Sequence, residues 1–325
     1  MIQYVPILHL KKYEKALAPF FSKEMQRSHA LKPYLRLMKE NDFQNLLTTI
    51  APFTPANEKP FVGWPRKTSV NSGDYGNLDH LHSVNLSESK YLSAELGLCK
   101  MGDHIIPTYD ASAQHQDSID QFVDYCHEKE VECAIFADSF GLNYSKLKPC
   151  DWLLVNIGQS IVYLQSRIDQ LRRQTTAKIV LIIENRLEGI THSSLSTIEP
   201  ANKGKIKGDL LALSAKEGRQ FDGISGFGDF AGWKNTINIS GGWGRSATKT
   251  AYFYERSEFQ FTVIKDDPQG TIKQSIADYS TQKDPNDERH LREILAQYIK
   301  TGNQGQFNAL SQLYYIAVLL SDYEK

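Results

Sequence analysis

Cysteine is scarce in this 325-residue chain. There are four, Cys99, Cys126, Cys133 and Cys150, and none forms a Cys-x-x-Cys pair. That spacing argues against a zinc knuckle, and scattered thiols in so long a chain fit a reducing compartment better than a disulfide framework. Neither charge is in excess: 37 Lys and Arg against 38 Asp and Glu leave a formal net charge of -1. This argues against a globally basic nucleic-acid binder, and a local basic patch stays open. No stretch approaches the ~18 consecutive apolar residues of a membrane span. The opening Met1-Ile-Gln-Tyr-Val-Pro6 lacks the basic-then-apolar order of a secretory leader. The expectation is a soluble, cytoplasmic protein with no membrane contact.

The residues that are present describe a regular alternation. A hydrophobic content of 41% with 11% aromatics excludes disorder as the dominant state. Short apolar runs recur at Tyr4–Leu8, Lys32–Leu37, Lys59–Trp64, His104–Asp110, Cys133–Asp138, Asp151–Asn156, Lys178–Glu184 and Phe221–Gly226. Helical spacing separates many of them. Examples are Tyr13 to Met25 with Pro19 as a kink, Asp42 to Ile50, Ser89 to Leu98, Ile119 to Cys126 with Ser118 and Gln121 as a capping box, Ile161 to Leu171, and Leu210 to Ala215. Near-continuous apolar strands imply a parallel sheet buried on both faces, and eight of them imply closure into a TIM-like (β/α)8 barrel. A doubly wound open sheet is the runner-up. The first turn, His9-Leu-Lys-Lys-Tyr13, carries no glycine for a phosphate-binding loop. After the eighth run, Thr250–Tyr254 and Phe259–Ile264 alternate like a hairpin, and two further helical stripes follow. The chain therefore reads as a single (β/α)8-like domain over 1–325, with a β-hairpin insertion at 232–270 and closing helices at 285–325.

Tyr4-x-Pro6-x-Leu8-x-x-Lys11-x-x-Glu14-x-Ala16-Leu17 resembles the start of the bacteriophage beta-protein family. Gly226-Phe-Gly-Asp229-Phe230 is similar to a Gly-Phe-Gly-Asp-aromatic run in a related bacterial branch. A third cue is Gly302-Asn303 followed by Leu313-Tyr-Tyr-Ile316, where the family tends to carry paired histidines and this chain has Tyr314 and Tyr315. The resemblance implies a setting of phage–host conflict. A protein partner encoded nearby, such as a nuclease, is the expected partner, and a neighbouring nuclease gene would favour that role.

In a (β/α)8 barrel the functional end is the C-terminal end of the strands. The residues there are His9 and Lys11 on strand one, Arg36 on two, Arg66 on three, Asp110 on four, Asp138 on five, Asn156 on six, Glu184 on seven, and Gly226, Gly228 and Asp229 on eight. Asp138, Glu184, Asp229 and His9 form the candidate catalytic set, His9 because imidazole titrates near neutrality. Lys11, Arg36 and Arg66 form the anion-binding set, since arginine grips phosphate or carboxylate bidentately. Gly226, Gly228 and Asn156 form the ligand-binding set, the glycines because they allow close approach. Two function classes follow. One is a phage–host conflict protein that recognises a ligand or protein partner through the barrel mouth. The other is a metal- or anion-dependent hydrolase of phosphodiester or nucleotide substrates, with a divalent metal as the one cofactor the carboxylates suggest and nucleic acid left open as a substrate.

Overall fold

The computed structural model describes residues 3–10, 12–26, 31–55, 58–66, 86–111, 115–138, 140–158, 163–183, 204–206, 221–231, 250–255, 260–265, 272–282, 289–300 and 304–320. Eight parallel strands close a barrel. They are β1 (Gln3–His9), β2 (Tyr34–Arg36), β3 (Phe61–Gly63), β4 (Ile106–Asp110), β5 (Ala134–Ala137), β6 (Trp152–Gly158), β7 (Lys178–Ile183) and β9 (Gly226–Asp229), hydrogen-bonded in that order, with β9 returning to β1. β8 (Gly204–Ile206) stands outside the ring. It pairs antiparallel with β11 (Gln260–Lys265), which pairs antiparallel with β10 (Thr250–Glu255).

Successive side chains on a strand face opposite ways, and two separate apolar layers result. Val5, Ile7, Tyr34, Phe61, Ile106, Ala134, Phe136, Trp152, Leu154, Val180, Ile182 and Phe230 fill the barrel. Their neighbours Tyr4, Leu8, Leu35, Val62, Tyr109, Ile135, Leu153, Ile179 and Phe227 pack outward. The outer layer meets α1 (Lys12–Ala16), α2 (Ala18–Met25), α3 (Glu40–Gln44), α4 (Leu46–Ile50), α5 (Glu88–Leu98), α6 (Gln116–Glu128) and α7 (Leu164–Gln174). Pro19 splits α1 from α2, because it lies in the first turn of the second helix, where its missing N–H is no loss. Ser118 lies inside α6 rather than capping it, since that helix begins two residues earlier. The C-terminal segment holds α8 (Ile272–Thr281), α9 (Arg289–Lys300) and α10 (Gln304–Leu320). α10 packs on β10, with Tyr254 and Tyr315 rings 5.2 Å apart and the Ser311 hydroxyl accepting the Tyr252 amide. Among the described residues no helix is long and apolar enough to cross a membrane. The helix expected at Leu210 to Ala215 lies outside the described residues.

The eighth barrel strand begins later than its apolar run suggests. Residues Phe221 to Ser225 form turns and bends. Gly223 takes φ +81°, and the Asp222 amide is held by the Gln165 side chain. Gly226–Asp229 is the strand itself, in register with Gln3–Pro6 on one side and Val180–Ile183 on the other. A side chain at Gly228 has no room there: a Cβ would sit 2.0 Å from the Val5 carbonyl oxygen. Gly97 on α5 is different, since a Cβ there meets only the Phe43 ring edge at 3.4 Å. Gly228→Ala should therefore destabilise the fold by more than ~2 kcal/mol. Gly97→Ala should be neutral or stabilising by up to ~1 kcal/mol through helix propensity. Denaturant melts of the two variants check this, and equal losses would contradict the closure described.

Candidate functional site

The mouth is built from alternate residues of consecutive strands. Arg36 is two residues beyond the inward Tyr34, and Asp110 is four beyond the inward Ile106. Both are fully buried, and an Arg36 Nη2 lies 3.4 Å from Asp110 Oδ2. The guanidinium carbon sits 4.7 Å from the Phe136 ring centre, 5.3 Å from Tyr34 and 5.6 Å from Phe230. Burial works against the Arg36 charge, but Tyr34, Asp110 and Asp138 more than offset it, so the group stays protonated. The other Nη of Arg36 is 3.5 Å from His9 Nε2. A guanidinium has only donors, so His9 accepts through Nε2 in that contact and carries no proton on it.

Arg66 extends the network. Its amide donates to Asp110 Oδ2 at 3.3 Å, and its Nε donates to the Asp110 carbonyl at 2.9 Å. Its two Nη atoms grip Glu88 bidentately at 2.5 and 3.1 Å, and one also meets the Tyr109 hydroxyl. The guanidinium lies 3.5 Å from the centre of the Tyr91 ring. Although partial burial disfavours the Glu88 charge, Arg66, Tyr109 and Ser118 hold its carboxyl down to about 2. Below Arg66, Glu95 is fully buried and accepts from the Tyr91 hydroxyl at 2.6 Å and the Trp64 amide at 2.9 Å. Burial pushes its carboxyl up to about 8 despite those donors, so at neutral pH it carries a proton. On the far rim, Asn156 donates to Asp138 at 2.8 Å; Asn156 is buried and Asp138 is exposed.

The structure thus gathers His9, Arg36 and Arg66 around Asp110, with Asp138 and Asn156 beside them. Asp110 carries the arrangement more than the candidate catalytic residues do. Lys11 and Glu184 lie outside the described residues. Asp229 does not point into the mouth. In register with Pro6, it faces the layer between barrel and helices, where it accepts the Tyr4 hydroxyl at 2.9 Å, the Tyr315 hydroxyl at 2.8 Å and the Ala231 amide at 2.8 Å. Burial pushes its carboxyl up to about 6, against those three hydrogen bonds. Gly226 and Gly228 are required by packing: a Cβ at Gly226 would lie 2.7 Å from the Gln3 carbonyl oxygen. Arg66 turns its guanidinium to Glu88 instead of leaving it for an external anion. Glu88 and Tyr91 escaped strand-end reasoning because they sit on α5, and only the arginine they serve signals them. Among the described residues, no three mouth side chains come close enough to share a metal ion.

No family model matches the chain, and neither does any curated protein. Among solved structures, the chain is similar to a type I 3-dehydroquinate dehydratase from Clostridium difficile carrying covalently modified comenic acid. Identity is 12% over 73% of this chain and 88% of that one, with a TM-score of 0.44. At that level nothing about chemistry follows from the likeness. The barrel assignment rests on the strand order itself.

Asp229 and Glu95 both bind a proton more tightly in the folded chain than in the unfolded one, whose carboxyls titrate near ~4. Their contribution to stability is full at low pH and falls as pH rises through the window from ~4 to the folded value. Asp229→Asn should flatten the loss between about pH 4 and 6, and Glu95→Gln the loss extending to about pH 8. Urea unfolding of both variants and the parent across ~pH 3.5 to 9 checks this. Curves that stay parallel to the parent's would refute the assignment.

Proposed function

We propose that this barrel recognises a ligand or protein partner through its mouth, in the setting of phage–host conflict, and is not a metal-dependent phosphodiesterase. The observation that supports this is the pairing of charge at the mouth. Arg36 and Arg66 are matched to Asp110 and Glu88, and Asp138 is bonded to Asn156. A mouth whose charges answer one another is a preformed floor, with its polar rim set for recognition, and among the described residues it offers no unmatched carboxylate cluster for an ion. Recognition sites of this kind work by fixed hydrogen-bonding geometry over an apolar base. Here Phe136 and Phe230 supply the base. The resemblance of the Tyr4 to Leu17 and Gly226 to Phe230 segments to the phage beta-protein family supports the setting.

The test is a phage-challenge assay beside affinity capture and a thermal melt. The rim variants Asp138→Ala and Asn156→Ala should lower protection at least ~10-fold, the effect of losing one well-placed polar contact, and should weaken capture of the partner. Melting temperature should change little. Unchanged protection in the double variant would overturn the reading. So would metal-dependent cleavage of a generic phosphodiester by the purified protein that is lost on Asp138→Asn.

A further inference from the structure

A second constellation lies at the opposite end of the barrel, where strands begin. His127 is in the last turn of α6, Cys133 immediately precedes β5 and Asp151 immediately precedes β6. One ligand atom from each, His127 nitrogen, Cys133 sulfur and an Asp151 oxygen, lies within 4.8 Å of the others. His127 Nε2 is 2.8 Å from Asp151 Oδ2, and Cys133 Sγ is 3.6 Å from Oδ1. Cys133 and Asp151 are fully buried, and His127 keeps 15% of its side chain exposed. A tetrahedral zinc ion with bonds of ~2.0–2.3 Å holds its ligand atoms roughly 3.3–3.8 Å apart. The trio reaches that spacing with shifts of about an ångström.

The carboxylate is already fixed from behind. The Cys133 amide donates to Oδ1 at 3.1 Å and the Lys148 amide to Oδ2 at 2.7 Å. Such outer contacts orient a ligand before the ion arrives. A second sulfur beside the carboxylate is that of Cys150, an exposed residue, 3.8 Å from Oδ1. Thiolate, imidazole and carboxylate together suit zinc, whereas calcium and magnesium want oxygen alone. We propose that His127, Cys133 and Asp151, with Cys150 as fourth ligand, bind a zinc ion that ties the end of α6 to the entrances of β5 and β6. The role is structural, in keeping with the stability function of this end of a barrel. The hydrogen bond with Cys126 lowers the Cys133 thiol, but burial and Asp151 leave it net above the usual range. Both thiols release their protons to solvent as the ion binds.

The test uses the full chain, reduced, stripped with chelator and titrated with cobalt and then zinc. One equivalent of cobalt per chain should give a sulfur-to-metal charge-transfer band and tetrahedral visible bands, and zinc should abolish both. Zinc should also raise the melting temperature by several degrees. His127→Ala, altering the one ligand that reaches solvent among the three, should fold and weaken cobalt at least ~10-fold. Cys133→Ser and Cys150→Ser should each weaken the charge-transfer band, while Cys99→Ala leaves it intact. The proposal is overturned if cobalt gives no such band and zinc does not move the melt. It is also overturned if the band survives in the Cys133→Ser, Cys150→Ser double variant and vanishes in Cys99→Ala, which would put the ion on the Cys99 and Cys126 sulfurs, 3.0 Å apart.

Discussion

A guanidinium inside a barrel has left its water behind, and the structure must answer its charge where it stands. Arg36 and Asp110 are both without exposed surface and lie 3.4 Å apart. Removing one partner of such a pair leaves an uncompensated buried charge, at a cost of ~3–5 kcal/mol. The requirement reaches beyond the two residues. Asp110 also takes the Arg66 amide, which fixes the exit of β3 between β2 and β4. Arg36 also faces His9, which fixes the tautomer of a side chain on β1. Four adjacent strands thus share one electrostatic condition at their C-terminal ends, and the shape of the mouth follows from it.

A different constraint holds the seam where the barrel closes. β9 can lie between β1 and β7 because two of its four residues are glycines set against neighbouring carbonyls. Its last residue, Asp229, then faces outward and gathers Tyr4 from β1 and Tyr315 from α10. Three segments far apart in the chain, β1, β9 and α10, meet at this point. Tyr315 acts here as a hydroxyl donor. The meeting joins the barrel to the C-terminal helices, and its chemistry is that of a buried clamp.

The barrel was legible because strands buried on both faces read as unbroken apolar runs, and seven of the eight lie where those runs fall. The eighth misleads because Phe221 and Ile224 look strand-like while Asp222-Gly223 makes a turn. A strand placed too early leaves Asp229 beyond its end, free to point anywhere. Once Gly226 opens the strand, alternation sends Asp229 outward. Strand-end reasoning found Arg36, Asp138 and Asn156, since position along a strand decides what reaches the mouth. It could not find Glu88, Tyr91 or Glu95, which enter from a helix. The short strand β8 carries no pattern in Gly204-Lys-Ile206. The His127, Cys133 and Asp151 group is drawn from three elements, so no linear spacing announces it.

Arg36 and Asp110 act as one unit. A double-mutant cycle on equilibrium unfolding with Arg36→Met and Asp110→Asn measures it directly. Each single change should cost ~3–5 kcal/mol, and the double variant should fall short of their sum by more than ~2 kcal/mol. Additivity within ~0.5 kcal/mol would mean that the two charges are held independently, and the mouth would then have no common foundation.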